Sequence, residues 1–86
     1  MDTVNVRFLH PREEGRQLTL ALPRDTSFAQ LTELLYRESF VIWQKPGYQY
    51  IYRGHLCNMR HTLGDYIPQE AREMELRILD VPVILL

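Results

Sequence analysis

The chain has 86 residues, of which 45% are apolar and 24% are charged, and its formal net charge is −1. This length fits one domain, and this apolar share is sufficient for a hydrophobic core. A near-neutral charge disfavours generic nucleic-acid binding, because proteins of that class usually carry a strongly basic surface. We therefore expect one globular domain that does not bind nucleic acid.

Cysteine usage and hydropathy indicate the compartment. Cys57 is the only cysteine, so no disulfide can form within the chain. The N-terminal residues lack the basic start and the apolar run of a signal peptide. No segment approaches the ~20 consecutive apolar residues that a membrane helix needs. These features predict a cytoplasmic protein with no direct membrane insertion.

Two alternating segments predict a β-hairpin at the start of the chain. Apolar residues occupy every second position in 4–8 and again in 18–22. This period of two is typical of a strand with one buried face. The connecting segment contains Pro11 and Gly15, which favour a turn.

A helix is predicted directly after the hairpin. Ser27 and Gln30 have the spacing of a capping box, in which two side chains satisfy free amide groups at the start of a helix. Apolar residues then follow at helical spacing, namely Phe28, Leu31, Leu34 and Leu35. This period ends near Ser39, and Lys45–Gly47 is a clear break.

The remaining residues predict short strands and one helical turn. Alternation indicates a third strand at 48–53 and a last strand at 74–79, with a short strand at Leu56 and Cys57 between them. A helical turn is expected at Thr62–Tyr66. The predicted order is ββαβ(β)β, an α+β domain in which a mixed sheet packs on one helix.

This order and these residues resemble ubiquitin and its relatives, which have the β-grasp fold. Thr62-Leu-Gly-Asp-Tyr66 closely resembles the Thr-Leu-Ser-Asp-Tyr of ubiquitin. Tyr50–Gly54 is similar to the third strand of that family, Leu18–Thr26 to its second strand and helix start, and Met74–Ile78 to its last strand. The resemblance implies a ubiquitin-like domain over 1–80 that acts by binding other proteins.

The chain departs from ubiquitin at its C-terminus and in its recognition patch, and these differences limit the functions that the resemblance implies. The chain ends in the apolar tail 81–86 without the Gly-Gly that conjugated ubiquitins and sulfur carriers use, and Lys45 is its only lysine. The resemblance therefore implies a non-conjugating relative. Ile51 matches the central isoleucine of the ubiquitin recognition patch, but Glu75 and Arg77 replace its histidine and valine. Receptors of ubiquitin itself are not expected to bind.

In its size, its layout and its lack of a Gly-Gly tail, the chain resembles the YukD/EsaB group of small bacterial proteins. That resemblance implies a cytoplasmic accessory of type VII (WXG100) secretion, with secretion-system components as partners. The alternative is a ubiquitin-like structural subunit of a multicomponent enzyme, such as a di-iron monooxygenase. A third interpretation, a ubiquitin-type modifier, is disfavoured by the absent glycines.

Alternation along the strands also predicts a partner-binding face on the open side of the sheet. In the ubiquitin-like order the first, last and third strands are neighbours, so their arginines should form a basic row with an isoleucine among them. Arginine around an apolar centre is a usual composition of protein interfaces. The alternative is a solvated sheet face with scattered charges. The predicted partner-binding residues are Ile51, Arg53, Arg77, Gln49 and Arg7.

Metal binding and catalysis are both disfavoured. His55, Cys57 and His61 are zinc-type ligands, but a fourth ligand is not evident and the first pair is too closely spaced for a usual finger. Cys57 also falls where ubiquitin-like domains place a buried apolar residue. The pair Cys57 and His61 lacks a clear third residue for nucleophilic catalysis, because Asp65 belongs to the structural turn. We expect no enzyme activity, no metal and no cofactor.

The apolar tail Val81–Leu86 allows two interpretations. A solvated apolar tail is unfavourable, so it could fold back on the domain or extend the last strand. It could instead dock on a partner or on a second copy of the chain, which would give a homo-oligomer. Pro82 interrupts the tail, and the sequence favours neither interpretation.

Overall fold

The computed structural model describes residues 2–42 and 48–80. The predicted break at 45–47 and the tail 81–86, with its two interpretations, lie outside these residues. The described elements are β1 (Thr3–Leu9), β2 (Gln17–Pro23), α1 (Phe28–Arg37), β3 (Tyr48–Tyr52), β4 (His55–Leu56), a 3₁₀ turn (Leu63–Asp65) and β5 (Glu73–Asp80).

The strands form one mixed sheet in the order β2-β1-β5-β3-β4. The β1–β2, β3–β5 and β3–β4 pairs are antiparallel, whereas β1 and β5 are parallel. The predicted α+β class, one helix on a mixed sheet, is therefore confirmed for the part of the chain that is described. In the same residues no helix combines the length and the hydropathy needed to cross a membrane.

The core lies between α1 and one face of the sheet. It forms because the apolar residues at every second position of β1, β3 and β5 project toward α1. The apolar face of α1 packs against them. Each fully buried side chain of this kind contributes roughly 1.5–3 kcal/mol of gross transfer free energy. The largest fully buried side chains are Tyr50, Phe8, Phe28, Leu31, Leu35, Leu63, Leu76 and Ile78. The alternate residues of the same strands point to the opposite, open face.

The start and the end of α1 agree with the prediction. The capping box at Ser27 and Gln30 is present, and the N–H of Ser27 donates to Gln30 Oε1 at 2.9 Å. The helix ends at Arg37, and Ser39 two residues later has φ of 60°, in the left-handed region where a helix cannot continue. Sequence period and backbone geometry therefore place the same boundary.

The hairpin of β3 and β4 differs from the prediction by one residue. Arg53 and Gly54 both have positive φ, 51° and 80°, which is the geometry of a two-residue hairpin turn. This turn pairs Tyr52 with His55. The short strand is therefore His55–Leu56, not Leu56 and Cys57 as predicted.

The turn after β2 is fixed to the segment before β5. The Arg24 guanidinium donates to the carbonyl oxygens of Ala71 and Pro68, both at 2.8 Å. The N–H of Leu63 donates to Thr26 O at 3.0 Å, so the 3₁₀ turn is held against the same connection. Asp65 Oδ2 accepts the N–H of Thr62 at 2.8 Å, which confirms the helical turn predicted at 62–66.

Candidate protein-interaction face

One residue from each of the five strands falls in a single row across the open face. In β1, Leu9 lies beside Gln17 of β2 and Arg77 of β5. Arg77 is opposite Ile51 of β3, and Ile51 is opposite Leu56 of β4. Cross-strand partners project from the same face of a sheet, so these five side chains are immediate neighbours.

Large apolar side chains in and beside this row remain accessible to solvent. Leu56 is 56% exposed and Leu79, two residues after Arg77 on the same face, is 39% exposed. Leu9 and Ile51 are half-buried. We name the set of Leu9, Ile51, Leu56, Leu79 and Arg77 the open-face patch. Clustered apolar side chains with a central arginine are typical of protein interfaces.

Arg77 carries the charge at the centre of this patch. Among residues 2–42 and 48–80, its guanidinium makes no ion pair or side-chain hydrogen bond. Glu75 lies two residues earlier on the same face, but its carboxylate is paired with Arg7. The direct cross-strand neighbours of Arg77 are uncharged, namely Leu9 and Ile51. The patch thus has an apolar rim around an exposed positive charge.

The predicted basic row does not form, and the β1–β5 register explains the position of Arg7. In this parallel pair Arg7 is the partner of Glu75, whereas Leu9 is the partner of Arg77. Arg7 therefore lies two residues away from the row of Arg77 along the same face, and the Glu75 carboxylate pairs with it. The expectation that Arg7 adds positive charge beside Ile51 was wrong.

Arg53 also departs from the predicted row. It follows β3 in the tight turn, where its φ of 51° ends the alternation of the strand. Its guanidinium carbon lies 5.7 Å from the centroid of the Tyr52 ring, a cation–π distance. Arg53 lines a separate depression together with Arg7, Glu73 and Glu75. The structure therefore places Arg53 outside the open-face patch.

The remaining predicted residue, Gln49, is half-buried and lies opposite Leu79 at the border of the patch. Of the predicted set, the structure brings together Gln49, Ile51 and Arg77. The prediction did not include Leu9, Leu56 and Leu79, although apolar residues at outward positions of three strands were a signal for them. Their assignment needed the register between strands, which alternation within one strand does not supply.

His55, Cys57 and His61 are not brought together as a three-residue cluster in the described structure. Within the described ranges, no three histidine, cysteine, aspartate or glutamate side chains are grouped to hold a metal ion. Cys57 is 4% exposed and belongs to the core. Its N–H donates to Tyr50 O at 2.8 Å, which turns the side chain inward after β4. Cys57 thus occupies the position of a buried core residue, as the structural interpretation of this cysteine predicts.

The arrangement around Cys57 does not activate a nucleophile. Burial raises the pKa of the Cys57 thiol to about 11, which keeps it protonated near neutral pH, whereas reactive cysteines have a lowered pKa. His61 Nδ1 lies 3.2 Å from the Tyr66 hydroxyl oxygen. That oxygen also accepts the N–H of Asn58 at 2.7 Å. Both His61 and Asp65 are therefore engaged within the loop that follows β4.

Comparison by sequence with family models and with curated proteins finds no relative of this chain. No family model matches it, and no curated protein matches it either.

Comparison by structure finds ubiquitin-like domains. A ubiquitin-like domain of an Arabidopsis thaliana protein superposes with a TM-score of 0.69 and 15% identity, over 92% of this chain and 78% of that one. The ubiquitin of Caldiarchaeum subterraneum gives 0.70 and 12%, over 94% and 96%. A structure described as molecular mimicry of SUMO that promotes DNA repair gives 0.70 and 10%, over 92% of each chain. The predicted ubiquitin-like β-grasp fold is therefore confirmed, and none of these neighbours connects the chain with the YukD/EsaB group or with type VII secretion.

Proposed function

We propose that this chain is a non-catalytic, ubiquitin-like module that binds a protein partner through the open-face patch. The observation that supports this proposal best is the row in which Leu9, Arg77 and Ile51 are direct neighbours on the open face. Its fold is one that other proteins use for protein interaction, and the raised pKa of Cys57 gives no support to a nucleophilic enzyme.

The exposed area of the patch indicates a small interface. The exposed fractions of Leu56 and Leu79 together amount to about one complete leucine side chain. Burying one such side chain contributes roughly 1.5–3 kcal/mol. Association itself costs at least about 4 kcal/mol in lost rigid-body freedom. The leucines therefore need support from Ile51 and from polar contacts at Arg77.

The test is capture of a partner from the native cell by the intact chain, identified by mass spectrometry and compared among variants. Ile51→Asp and Leu56→Asp should abolish capture, because each places a charge within the patch. Ile42→Asp is the matched control, since Ile42 is 62% exposed and lies in the segment after α1. Circular dichroism and thermal unfolding verify that the variants are folded. Unchanged capture by folded Ile51→Asp and Leu56→Asp would contradict the proposal.

For its more specific role we propose a cytoplasmic accessory of type VII (WXG100) secretion. The resemblance in size and layout is the basis of this proposal. A structural subunit of a multicomponent enzyme, such as a di-iron monooxygenase, is the alternative, and a ubiquitin-type modifier is the least favoured. Neighbouring genes for WXG100 proteins and a secretion ATPase would favour the first role, and genes for oxygenase subunits the second. Intact-mass analysis of the protein from cells tests the third, which requires a truncated or conjugated form.

A further inference from the structure

We infer that the protein partner presents a carboxylate, set among apolar side chains, to Arg77 of the open-face patch. This inference rests on the proposed function and specifies the chemistry of the partner. It starts from the position of Arg77, which lies between Leu9 and Ile51 in the row that crosses the sheet. A surface that covers both neighbours also covers the guanidinium.

Covering Arg77 removes water from a permanent positive charge. The guanidinium has five N–H donors and does not lose its proton in proteins. A buried arginine without a partner is strongly unfavourable, so the group must find an acceptor within the interface. A partner that covers the apolar side chains of the patch thus excludes water from Arg77. That partner must therefore supply a hydrogen-bond acceptor for the guanidinium.

No carboxylate of the described residues is paired with Arg77. Glu14, in the loop after β1, lines the same depression as Arg77 but makes no ion pair with it. Glu75 shares the face of Arg77 but is paired with Arg7. Glu73 also shares that face but lies four residues before Arg77, at roughly 13 Å along an extended strand. Asp80 belongs to the other face by alternation and is paired with Arg12. The acceptor is therefore expected from the partner.

The chemistry of arginine favours a carboxylate over other acceptors. A carboxylate can accept two parallel N–H groups from one guanidinium, and such charged hydrogen bonds are roughly twice as strong as neutral ones. The partner segment should accordingly combine aspartate or glutamate with aliphatic or aromatic residues. The acidic residue contacts Arg77, and the apolar residues contact Ile51 and the exposed leucines.

Random linear peptides displayed on phage, selected on the intact chain, provide the test. Recovered peptides should be enriched in Asp or Glu flanked by apolar residues. Synthetic copies should bind Arg77→Glu at least about tenfold more weakly than the unmodified chain, and changing the peptide's acidic residue to arginine should restore binding to Arg77→Glu. Arg60→Glu is the matched control, because in the described ranges the Arg60 guanidinium is also without an ion pair, in the loop that contacts the start of α1. Its affinity should not change.

The outcomes separate this inference from the proposed function. Some peptides could lose binding with Ile51→Asp but bind Arg77→Glu as well as the unmodified chain. Such peptides would contradict the inferred carboxylate and still support binding through the open-face patch. Peptides that contact Arg77 through aromatic or neutral residues would do the same. Peptides unaffected by either variant, or no enrichment at all, would contradict both. A dimer in analytical ultracentrifugation that Ile51→Asp dissociates would make a second copy the occupant and overturn the inference.

Discussion

Arg77 lies directly opposite Ile51 in the antiparallel pair of β5 and β3. This relationship places a permanent charge beside Ile51, the central apolar residue of the open-face patch. It follows that the open face combines an exposed apolar surface with a positive charge. A surface selected for Ile51 alone would leave the Arg77 guanidinium without an acceptor.

The Arg24 side chain should be a major contributor to stability. It is 12% exposed and donates to the carbonyl oxygens of Pro68 and Ala71, which joins the turn after β2 to the segment before β5. Because a hydrogen bond from a charged donor contributes about 1.5–3 kcal/mol, Arg24→Ala should lower the free energy of unfolding by at least that amount. Urea denaturation measures this value. Arg60→Ala is the control and should change it by less than about 0.5 kcal/mol, and equal effects would contradict the assignment.

The Tyr50 hydroxyl is the polar group of the core that is most easily tested. It lies 2.9 Å from Thr32 Oγ1, with the tyrosine fully buried. Burial also raises the pKa of Tyr50 above its ordinary value. Tyr50→Phe should cost about 1 kcal/mol in thermal or urea unfolding, because Thr32 then loses a buried partner. Tyr52→Phe is the control, and a larger loss for Tyr52→Phe would refute the role of this bond.

The Asp65 carboxylate should make stability dependent on pH. The hydrogen bond from the N–H of Thr62 lowers the pKa of Asp65 in the folded chain. A lowered folded-state pKa means that the stabilisation is complete above the ordinary aspartate pKa and is lost as the pH falls through the folded value. The difference in unfolding free energy between the unmodified chain and Asp65→Asn should therefore be larger near about pH 7 than near about pH 3. A difference that stays constant over this range would contradict the assignment.

The Cys57 thiol should be unreactive in the folded chain. Its pKa is raised by burial to about 11, from an ordinary value of 9.0. At about pH 8 it should react with iodoacetamide much more slowly in buffer than in denaturing urea, since the thiolate is the reactive form. The raised pKa also means that its stabilisation is complete below about pH 9 and is lost as the pH rises toward about 11. Equal alkylation rates in buffer and in urea would show that the thiol is accessible.

Local patterns were sufficient to predict most of the fold. The capping box at Ser27 and Gln30 and the turn at Thr62 were found because each depends on residues close in sequence. The site was predicted only in part, because its composition depends on how separate strands align. Alternation correctly placed Arg7 and Arg77 on the open face. However, the parallel register of β1 and β5 pairs Arg7 with Glu75 and Leu9 with Arg77. No pattern within one strand contains that information.

Variants of the open-face patch should separate binding from folding. Leu56 is 56% exposed on the short strand β4, so Leu56→Asp should change the free energy of unfolding by less than about 0.5 kcal/mol. Leu63→Asp places the same charge in a fully buried position of the 3₁₀ turn and should prevent folding. Circular dichroism with urea denaturation measures both. Marked destabilisation by Leu56→Asp would mean that this leucine serves the core.

Site-specific photo-crosslinking in the native cell tests the central claim most directly. A photoreactive amino acid is placed at Leu56 or Leu79 in the patch and, as controls, at Arg60 or at Glu33 on α1. Our account predicts crosslinks to the same protein from Leu56 and Leu79, and none to that protein from Arg60 or Glu33. Crosslinks from the control positions without any from Leu56 and Leu79 would show that the chain binds its partner through another face.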